Sequence, residues 1–373
     1  MVTVGIIANP ASGKDIRRLI AHGSVFDNQE KVHIVRRVLL GLQAAGVDRV
    51  TIMPDYFGIG RRATDGMQLT MAVDILDMSI EANQDDSTRA AGLLREMGVG
   101  SLVTLGGDGT NRAVSKQIGD IPIMAISTGT NNVFPQMVEG TLAGMAAGIV
   151  AGGKLPLAET TQRQLRLEIL RDGQMIDLAL VDVVVSEDVF IGSRAIWDMS
   201  KVRELVLTRA SPSTIGLSSV GGSLFCPRLD RQHGVYIQIG GGERTGGGEG
   251  TAGGESLVEL TAPIAPGLVE TMHITQFRLL EIGASVPVHS KPSILALDGE
   301  REVKVGAHDN VEVALSERGP TLIDMRRTME SATRHGLLTR IKAPAVEPTH
   351  CLLCTLGVCV EPPMQCRIEE GLS

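Results

Sequence analysis

The chain has 373 residues, more than a single domain usually holds, so we expect two domains with separate cores. It is 43% hydrophobic and 21% charged, a balance typical of globular proteins and not of disordered ones. A net charge of −8 with only 2% aromatic residues argues against nucleic acid as a partner, because that binding depends on basic patches and stacking faces, and favours a small molecule.

The chain begins with MVTVGIIANPASGK, which lacks the basic start, the apolar stretch and the cleavage site of a secretory signal. The longest apolar helix candidate, Met137 to Val150, contains Glu139 and is shorter than the roughly 20 residues that a bilayer requires. We therefore expect a cytoplasmic protein without a membrane partner, and we interpret Met137 to Val150 as a core helix.

Residues 1–152 alternate short apolar runs with segments of helical period, which predicts an α/β domain with a Rossmann-like parallel sheet. The predicted strands are rich in β-branched residues or leucine: Val2 to Ala8, Arg49 to Met53, Ser101 to Leu105 and Ile121 to Ile126. A helix is predicted at Lys31 to Ala45, where apolar residues recur at three and four positions, and a second helix after Ser87 as its cap.

Residues 153–324 change to short alternating segments, which predicts a mostly antiparallel β domain. These segments are Leu165 to Leu170, Leu178 to Val185, Val235 to Ile239, Leu257 to Leu260, Val311 to Leu315 and Thr321 to Asp324. Gly240 to Gly254 is interpreted as a flexible loop without a phosphate-binding role. A helical stretch from Met325 to His335, within residues 325–340, is expected to return to the first domain.

The segment LVTLGGDGTNRAV places three glycines and one carboxylate where a strand is predicted to end and a helix to begin near Thr110. Glycines allow close backbone approach, and free N–H groups at a loop and a helix start bind anions. These donors are expected at Gly106, Gly107, Gly109 and Thr110. Asp108 would repel phosphate, so it caps the helix, meets the metal of a nucleotide, or accepts a proton from an attacking hydroxyl. A Gly-Asp-Gly turn without a ligand is the alternative.

Two further polar turns follow predicted strands, at the sheet edge where open α/β sheets bind ligands. The first turn, NPASGK, offers Asn9, Ser12, Gly13 and Lys14. The second, STGTNN, offers Thr128, Gly129, Thr130, Asn131 and Asn132. Either segment alone is explained by a polar turn or a helix cap, but three turns at one edge favour a phosphate or ribose site.

In NPASGK, GGDGT, TGTNN and LDGE (Leu297 to Glu300), and in their order, the sequence resembles the NAD kinase and diacylglycerol kinase superfamily. Within it, the length from Val2 to about His335 looks like the acetoin-catabolism protein X group, described as ATP-NAD kinase-like. The resemblance implies an NAD kinase-like fold, with an N-terminal α/β domain, a C-terminal β-sandwich domain and a site in the cleft between them.

The resemblance implies that Asp108 is the catalytic base and that the GGDGT glycines and Thr110 hold the donor phosphates. Where NAD kinases contact the dinucleotide through an Asn-Glu or Asn-Asp pair, this chain has Val181 and Asp182. The NAD kinase segment TPTGSTAYSLSAGGP is echoed by SPSTIGLSSVGGS, with Ser213 and Thr214 at polar positions. Asp298 and Glu300 of LDGE would orient loops or a water-bridged metal, and a β-turn with Gly299 at its tip is the alternative explanation.

The implied reaction is transfer of a phosphoryl group from ATP, or from polyphosphate, to the 2′-hydroxyl of NAD, which gives NADP. Mg²⁺ would be held chiefly by the nucleotide, so we predict no dedicated protein metal site. Lys14 is a candidate cation for the transferring group. NAD kinases are commonly homo-oligomers, which implies the same here. Two alternatives stay open: a kinase of a lipid or of a small metabolite of acetoin breakdown, and a non-catalytic sensor of NAD or another nucleotide.

Residues 341–373 form a tail with Cys351, Cys354, Cys359 and Cys366. Their spacing is compatible with Zn²⁺ or an iron–sulfur cluster, but the second CxxC of an ordinary zinc ribbon is missing, and we favour a loose tail.

Arg61 and Arg62 are predicted in a loop after the second strand, as surface residues rather than phosphate contacts.

Overall fold

The computed structural model describes residues 1–13, 27–129, 132–187, 199–225, 232–240, 256–299 and 301–339. The first sheet has seven strands: β1 (Thr3–Ala8), β2 (Arg49–Ile52), β3 (Ala72–Ile75), β4 (Ser101–Gly106), β5 (Ile123–Ser127), β6 (Thr161–Arg163) and β18 (Thr321–Ile323). Their order is β3-β2-β1-β4-β5-β18-β6, and neighbours run parallel except β18 and β6. The parallel sheet is confirmed, and it includes two short strands from beyond residue 152.

The four predicted N-terminal strands are present within two residues of their predicted ends. They are buried on both faces of the sheet: Ile6 belongs to the core on one face and Ile7 to the core on the other. Strand β3 was not predicted, because it is a four-residue edge strand whose residues are exposed or half-buried and include an aspartate. Such a segment lacks the continuous apolar run of a central parallel strand.

Helices cover this sheet: α1 (Asn28–Ala44), α2 (Ile59–Thr64), α3 (Asp85–Glu96), α4 (Asp108–Ser115), α5 (Gly140–Ala151), α6 (Leu157–Thr160) and α8 (Met325–Arg334). Helix α1 begins three residues before its predicted start, because the Asp27 carboxylate accepts a hydrogen bond from the amide of Gln29 and caps it. The helix predicted from Met137 to Val150 is α5, which begins three residues later and ends one residue later; Glu139 caps it, and most of its residues are buried. Helix α8 packs against α5 through Met329 and Ala332.

Two predictions in this part of the chain were wrong. Ser87 does not cap α3, which begins at Asp85; the Asp86 carboxylate accepts the amides of Glu81 and Ala82 and closes the preceding turn, so the helix starts earlier. Arg61 and Arg62 lie in α2 and not in a loop, although both are exposed at the surface as expected.

The second part of the chain is a β-sandwich of two antiparallel sheets. Its strands are β7 (Arg166–Arg171), β8 (Gln174–Ala179), β9 (Asp182–Ser186), β10 (Val202–Leu207), β11 (His233–Gly240), β12 (Val258–Ala265), β13 (Leu268–Glu281), β14 (Ser285–Pro287), β15 (Ser293–Leu297), β16 (Arg301–Val305) and β17 (Val311–Ser316). The sheet orders are β12-β13-β11-β10-β9-β15-β16 and β14-β17-β7-β8. Their inner faces share one core, which confirms the predicted antiparallel β domain.

Two further differences concern this sandwich. The segment from Leu178 to Val185 is not one strand, because β8 ends at Ala179 and β9 begins at Asp182. Between them, the backbone amides of Leu180 and Val181 donate to the Asp298 carboxylate instead of to a neighbouring strand. Helix α7 (Leu217–Phe225) follows β10 and lies in the SPSTIGLSSVGGS segment. The glycine-rich loop after Gly240 lies outside the described residues.

Candidate functional site

The GGDGT segment joins β4 directly to α4. Helix α4 begins at Asp108, two residues before the predicted start, with Gly107 at the cap position. A Cβ on Gly106 would lie closer than 3.0 Å to the Thr110 side chain, and one on Gly107 closer than 3.0 Å to Oδ1 of Asn132. A side chain at Gly106 would therefore clash with Thr110, and one at Gly107 would displace the Asn132 amide; the turn brings the backbone of the α4 N-terminus to the edge of the sheet.

The Asp108 carboxylate faces the segment that follows β5. Its Oδ1 accepts the amides of Val133 at 3.1 Å and Phe134 at 2.8 Å, and its Oδ2 accepts the Val133 amide at 3.1 Å. The side chain therefore does not cap its own helix, which excludes one of the three roles expected for it. Oδ2 keeps an acceptor position for a further donor, such as a substrate hydroxyl.

Burial raises the pKa of Asp108 to about 7, and the negative charge of Asp298 acts in the same direction. The hydrogen bonds from Phe134 and Val133 and the positive charge of Arg209 lower this pKa, but they do not outweigh burial. A carboxylate with a pKa near neutrality is a suitable acceptor for a hydroxyl proton.

The turn after β1 contacts the GGDGT segment through two side chains. The Asn9 amide nitrogen donates to Thr110 Oγ1 at 2.9 Å. The Thr128 hydroxyl, at the end of β5, donates to Ser12 Oγ at 3.0 Å. Gly13 has a φ of 76°, in the left-handed region that favours glycine. Hence the turns after β1, β4 and β5 meet at one edge; Lys14 lies outside the described residues.

The turn after β5 is organised around the hydroxyl of Ser127. That hydroxyl donates to the carbonyl of Gly129 at 2.7 Å and accepts from the Asn132 amide nitrogen at 2.8 Å. Asn132 is thereby fixed beside Gly107. Thr130 and Asn131 lie outside the described residues.

Asp298 is fully enclosed at the junction with the sandwich. Its carboxylate accepts the amides of Leu180 at 2.9 Å, Val181 at 2.8 Å and Asp182 at 3.2 Å, and its φ is 49°. Burial raises its pKa, and the charge of Arg112 opposes this. Asp298 thus orients a loop, one of the roles expected for it. Glu300 lies outside the described residues.

Val181 and Asp182 occupy different environments. Val181 is 0% exposed and belongs to the core behind the parallel sheet, whereas Asp182 is partly exposed. A side chain at position 181 therefore cannot contact a ligand in this conformation.

Arg112 was not predicted. It lies one turn after Asp108 on α4, is 0% exposed, and reaches Asp298 (Nε to Oδ2, 3.8 Å), Asp177 (Nη1 to Oδ1, 3.4 Å) and Gln84 (Nη2 to Oε1, 2.9 Å). Its spacing of four residues from Asp108 places both on one face of the helix, which was a signal in the sequence.

A cavity of about 480 Å³ lies between the parallel sheet and the sandwich. Val133 and Phe134, which donate to Asp108, form part of its wall together with Arg209 and Thr214. Arg209 donates to the Val133 carbonyl at 3.2 Å and lies 4.8 Å from the centre of the Phe134 ring. Ser213 is exposed beside this wall, with its Oγ 2.9 Å from that of Ser211.

The acidic side chains of the site are the candidate ligands for the Mg²⁺ expected with a nucleotide. Asp108 and Asp298 both face backbone amides, and the described ranges contain no group of three or more metal-ligating side chains. Asp108 Oδ2, which keeps an acceptor position, is the oxygen of this set that could contact a cation held mainly by nucleotide phosphates. The four cysteines of the tail, and Cys226, lie outside the described residues.

A parallel sheet with a GGDGT turn, joined to an antiparallel sandwich, defines a protein of the NAD kinase-like two-domain class. The family model of the ATP-NAD kinase N-terminal domain matches residues 4–154, and that of the acetoin catabolism protein X C-terminal domain matches residues 165–318. The chain belongs to the acetoin catabolism protein X family. It is 40% identical over 357 residues to acetoin catabolism protein X of Cupriavidus necator, a match that covers 92% of this chain and 95% of that protein.

Among solved structures, the chain is similar to a putative diacylglycerol kinase from Bacillus anthracis str. Sterne, with a TM-score of 0.43 and 13% identity over 86% of this chain and 97% of that one. Within the described part of the chain, the helices are too short or too polar to cross a bilayer.

Proposed function

We propose that this protein is a kinase that transfers a phosphoryl group from ATP or polyphosphate to an alcohol, with Asp108 as the proton acceptor. The observation that carries the proposal is the Asp108 carboxylate, whose pKa is raised to about 7 where three polar turns meet. The match to the ATP-NAD kinase N-terminal domain supports the same reaction class.

In this mechanism the donor phosphates lie against the N–H groups of the GGDGT turn and the first turn of α4, where the helix dipole favours negative charge. The Asn9 amide nitrogen, which has a second N–H beside the one donated to Thr110, adds a side-chain donor from the turn after β1. The Ser12 hydroxyl donates to the Asn9 carbonyl at 2.8 Å and holds this turn in shape. The acceptor hydroxyl donates a hydrogen bond to Asp108 Oδ2. As its oxygen bonds to the terminal phosphorus, the bond from that phosphorus to the donor's bridging oxygen breaks, and the hydroxyl proton passes to Asp108. Mg²⁺, if held chiefly by the nucleotide phosphates, would supply charge neutralisation there.

NAD is the acceptor that we propose first, and the product is then NADP. The cavity whose wall contains Val133 and Phe134, the backbone partners of Asp108, supports a nucleotide-sized acceptor, because Arg209 and Thr214 offer polar groups in the same wall. Purified protein with Mg²⁺, NAD and ATP or polyphosphate should form NADP, measured by a coupled dehydrogenase assay. Asp108→Asn should remove this activity. Absence of product with NAD and NADH would contradict the assignment of the acceptor.

A different acceptor is favoured by one observation. Where NAD kinases have an asparagine, Val181 is buried in the core, so an amide contact with a dinucleotide is missing. Donor consumption measured across small hydroxylated metabolites and lipids would identify another acceptor, and its loss in Asp108→Asn would assign that reaction to the same site. Tight binding of NAD by calorimetry without any phosphoryl transfer would instead favour a sensor.

A further inference from the structure

The Nζ of Lys31 lies at the centre of the turn that follows β1. It donates to the carbonyl oxygens of Asn9 at 2.8 Å, Pro10 at 3.2 Å and Ser12 at 2.6 Å, and to Oδ1 of Asn28 at 3.0 Å. The lysine is 0% exposed. A buried ammonium is costly unless it is well hydrogen-bonded, and these four acceptors satisfy that requirement.

The three carbonyls define how the rest of the turn is oriented. In a trans peptide the C=O and the following N–H point in opposite directions. Because the Ser12 carbonyl points inward to Lys31, the Gly13 amide points away from the protein interior. The Ala11 amide is likewise turned away and donates to Oδ1 of Asn9 at 2.9 Å.

A turn that binds phosphate has the same requirement. Carbonyl oxygens repel an anion and N–H groups attract it, so the carbonyls must be held on the far side of the turn. Lys31 accounts for three such carbonyls, because its Nζ donates to each of them from the interior side of the turn. Its positive charge also favours a phosphate on the outer side of the turn.

The same turn touches the other two parts of the site. Asn9 donates to Thr110 in the GGDGT segment, and Thr128 donates to Ser12. A change at Lys31 is therefore transmitted to Asn9, which we assign to the phosphate donor, and to Ser12, whose hydroxyl donates to the Asn9 carbonyl at 2.8 Å.

We propose that Lys31 is a positioning residue for the phosphate groups of the donor: it holds the carbonyls of Asn9, Pro10 and Ser12 inward and thereby turns the Gly13 N–H outward. This inference rests on the proposed function, because it assigns the donor phosphates to this edge of the sheet. Lys31 was predicted only as the start of a helix. Its position in phase with the buried residues Val35, Val38 and Leu42 was the signal that it is buried.

Arg36 provides a matched control on the same helix. Its guanidinium also donates to three carbonyl oxygens, those of Ala63 at 3.1 Å, Arg62 at 3.0 Å and Asp65 at 2.9 Å. These carbonyls lie at the end of α2 and not beside the GGDGT turn. Replacing either residue by methionine removes a cation that organises a turn, and only one of these turns belongs to the site.

The test measures the affinity of the full chain for inorganic tripolyphosphate and for ATP by calorimetry in the presence of Mg²⁺. Lys31→Met should weaken both by about tenfold or more, since correctly oriented donors to a phosphate account for at least that factor. Arg36→Met should bind both ligands like the wild type. A structural role alone would lower Tm in both variants and leave the affinity of folded Lys31→Met unchanged, which would overturn the inference.

Two measurements keep the test decisive. If Lys31→Met does not fold, Lys31→Gln replaces it: its amide has two N–H groups for three carbonyls and no charge, so at least one carbonyl is released and both affinities should still fall. Wild-type affinity in that variant would overturn the inference. In the wild type, tripolyphosphate should slow hydrogen exchange of a peptide that contains Ala11 to Gly13; unchanged exchange there would also overturn it. If the wild type binds neither ligand, the proposed function itself is contradicted.

Discussion

The protonation of Asp108 reflects two opposing effects on one carboxyl group. Burial and the negative charge of Asp298 favour the neutral acid, whereas the amides of Val133 and Phe134 favour the carboxylate. The net result is a pKa of about 7. The residue is therefore only half ionised near neutral pH, which is where a general base works most effectively.

This pKa predicts how activity depends on pH. Because only the carboxylate accepts a proton, kcat/KM should rise about tenfold per pH unit below pH 7 and level off above it. The measurement is the rate of phosphoryl transfer at saturating Mg²⁺ from about pH 5 to about pH 9, the range over which such a group titrates. An acidic limb near the ordinary aspartate pKa of 3.8 would contradict the buried environment of Asp108.

The same shift predicts a stability effect of the opposite sense to the activity effect. Because the pKa of Asp108 is raised on folding, the unfolded state binds fewer protons between about pH 4 and 7, and the free energy of unfolding falls as pH rises through that range. Asp108→Asn, whose Oδ1 can still accept both amides, should remove this loss. The free energy of unfolding of the variant should exceed that of the wild type by on the order of 1–2 kcal/mol at pH 8, and should equal it near pH 4. Urea denaturation at the two pH values measures the difference.

Asp77→Asn supplies the control for that measurement, since Asp77 is exposed at the surface. It should change the unfolding free energy equally little at both pH values. An Asp108→Asn variant that is less stable than the wild type at pH 8 would show that the carboxylate contributes more through its hydrogen bonds than it costs through burial.

At the scale of elements, helices α1 and α5 pack unusually closely through glycine. A Cβ on Gly144 would lie closer than 3.0 Å to the Val38 carbonyl oxygen, and one on Gly41 closer than 3.0 Å to that of Thr141. The contact is thus backbone against backbone, and neither helix can move aside without disturbing the core that both share.

Gly144→Ala should therefore lower the free energy of unfolding by about 1–3 kcal/mol or more, because the added methyl group meets a backbone atom and not a movable side chain. The matched control is Gly92→Ala in α3, where the new Cβ would meet Gln117 Cβ at 3.7 Å, an ordinary contact. That change should be neutral or stabilise the protein by up to about 1 kcal/mol, through higher helix propensity. Equal effects of the two substitutions in chemical denaturation would contradict this packing.

What the sequence could predict about these elements depended on how local the cause was. The strand from Ser101 and the GGDGT turn carry their signals in adjacent residues, and both were predicted. The break between β8 and β9 is caused by Asp298, which is more than a hundred positions away, so the apolar run from Leu178 to Val185 looked like one strand. Lys31 and Arg112 are both buried cations, and most of their partners lie far away along the chain, so the sequence placed each on a predicted helix without indicating what it contacts.

At the scale of the whole molecule, Arg112 connects the parallel sheet to the sandwich. It extends from α4, beside the proposed base, to Asp177 in β8 and to Asp298 after β15. Lys116, one turn further along, also pairs with Asp177 at 2.7 Å. Two buried carboxylates of the sandwich are thus neutralised by one helix of the other half.

Arg112→Met should destabilise the protein by about 3–5 kcal/mol, because it leaves the buried Asp298 carboxylate without its cation and Asp177 with Lys116 alone. The loss should be smaller at pH 4 than at pH 8, since protonation of Asp298, whose pKa is raised, removes the uncompensated charge. Thermal and urea unfolding at both pH values provide the measurement. Arg326→Met, which removes an exposed pair with Glu330, should change little at either pH.

The chain passes between its two halves at two places that lie side by side, after β6 and before β18. The Gln164 amide donates to the Pro320 carbonyl at 3.0 Å, and Gly319 comes so near to the Gln164 carbonyl that a Cβ there would lie closer than 3.0 Å to it. Because the two crossings are bonded to each other, the halves are joined by one paired connection and not by two independent linkers. A side chain at position 319 would separate the two crossings, so Gly319 keeps the connection paired.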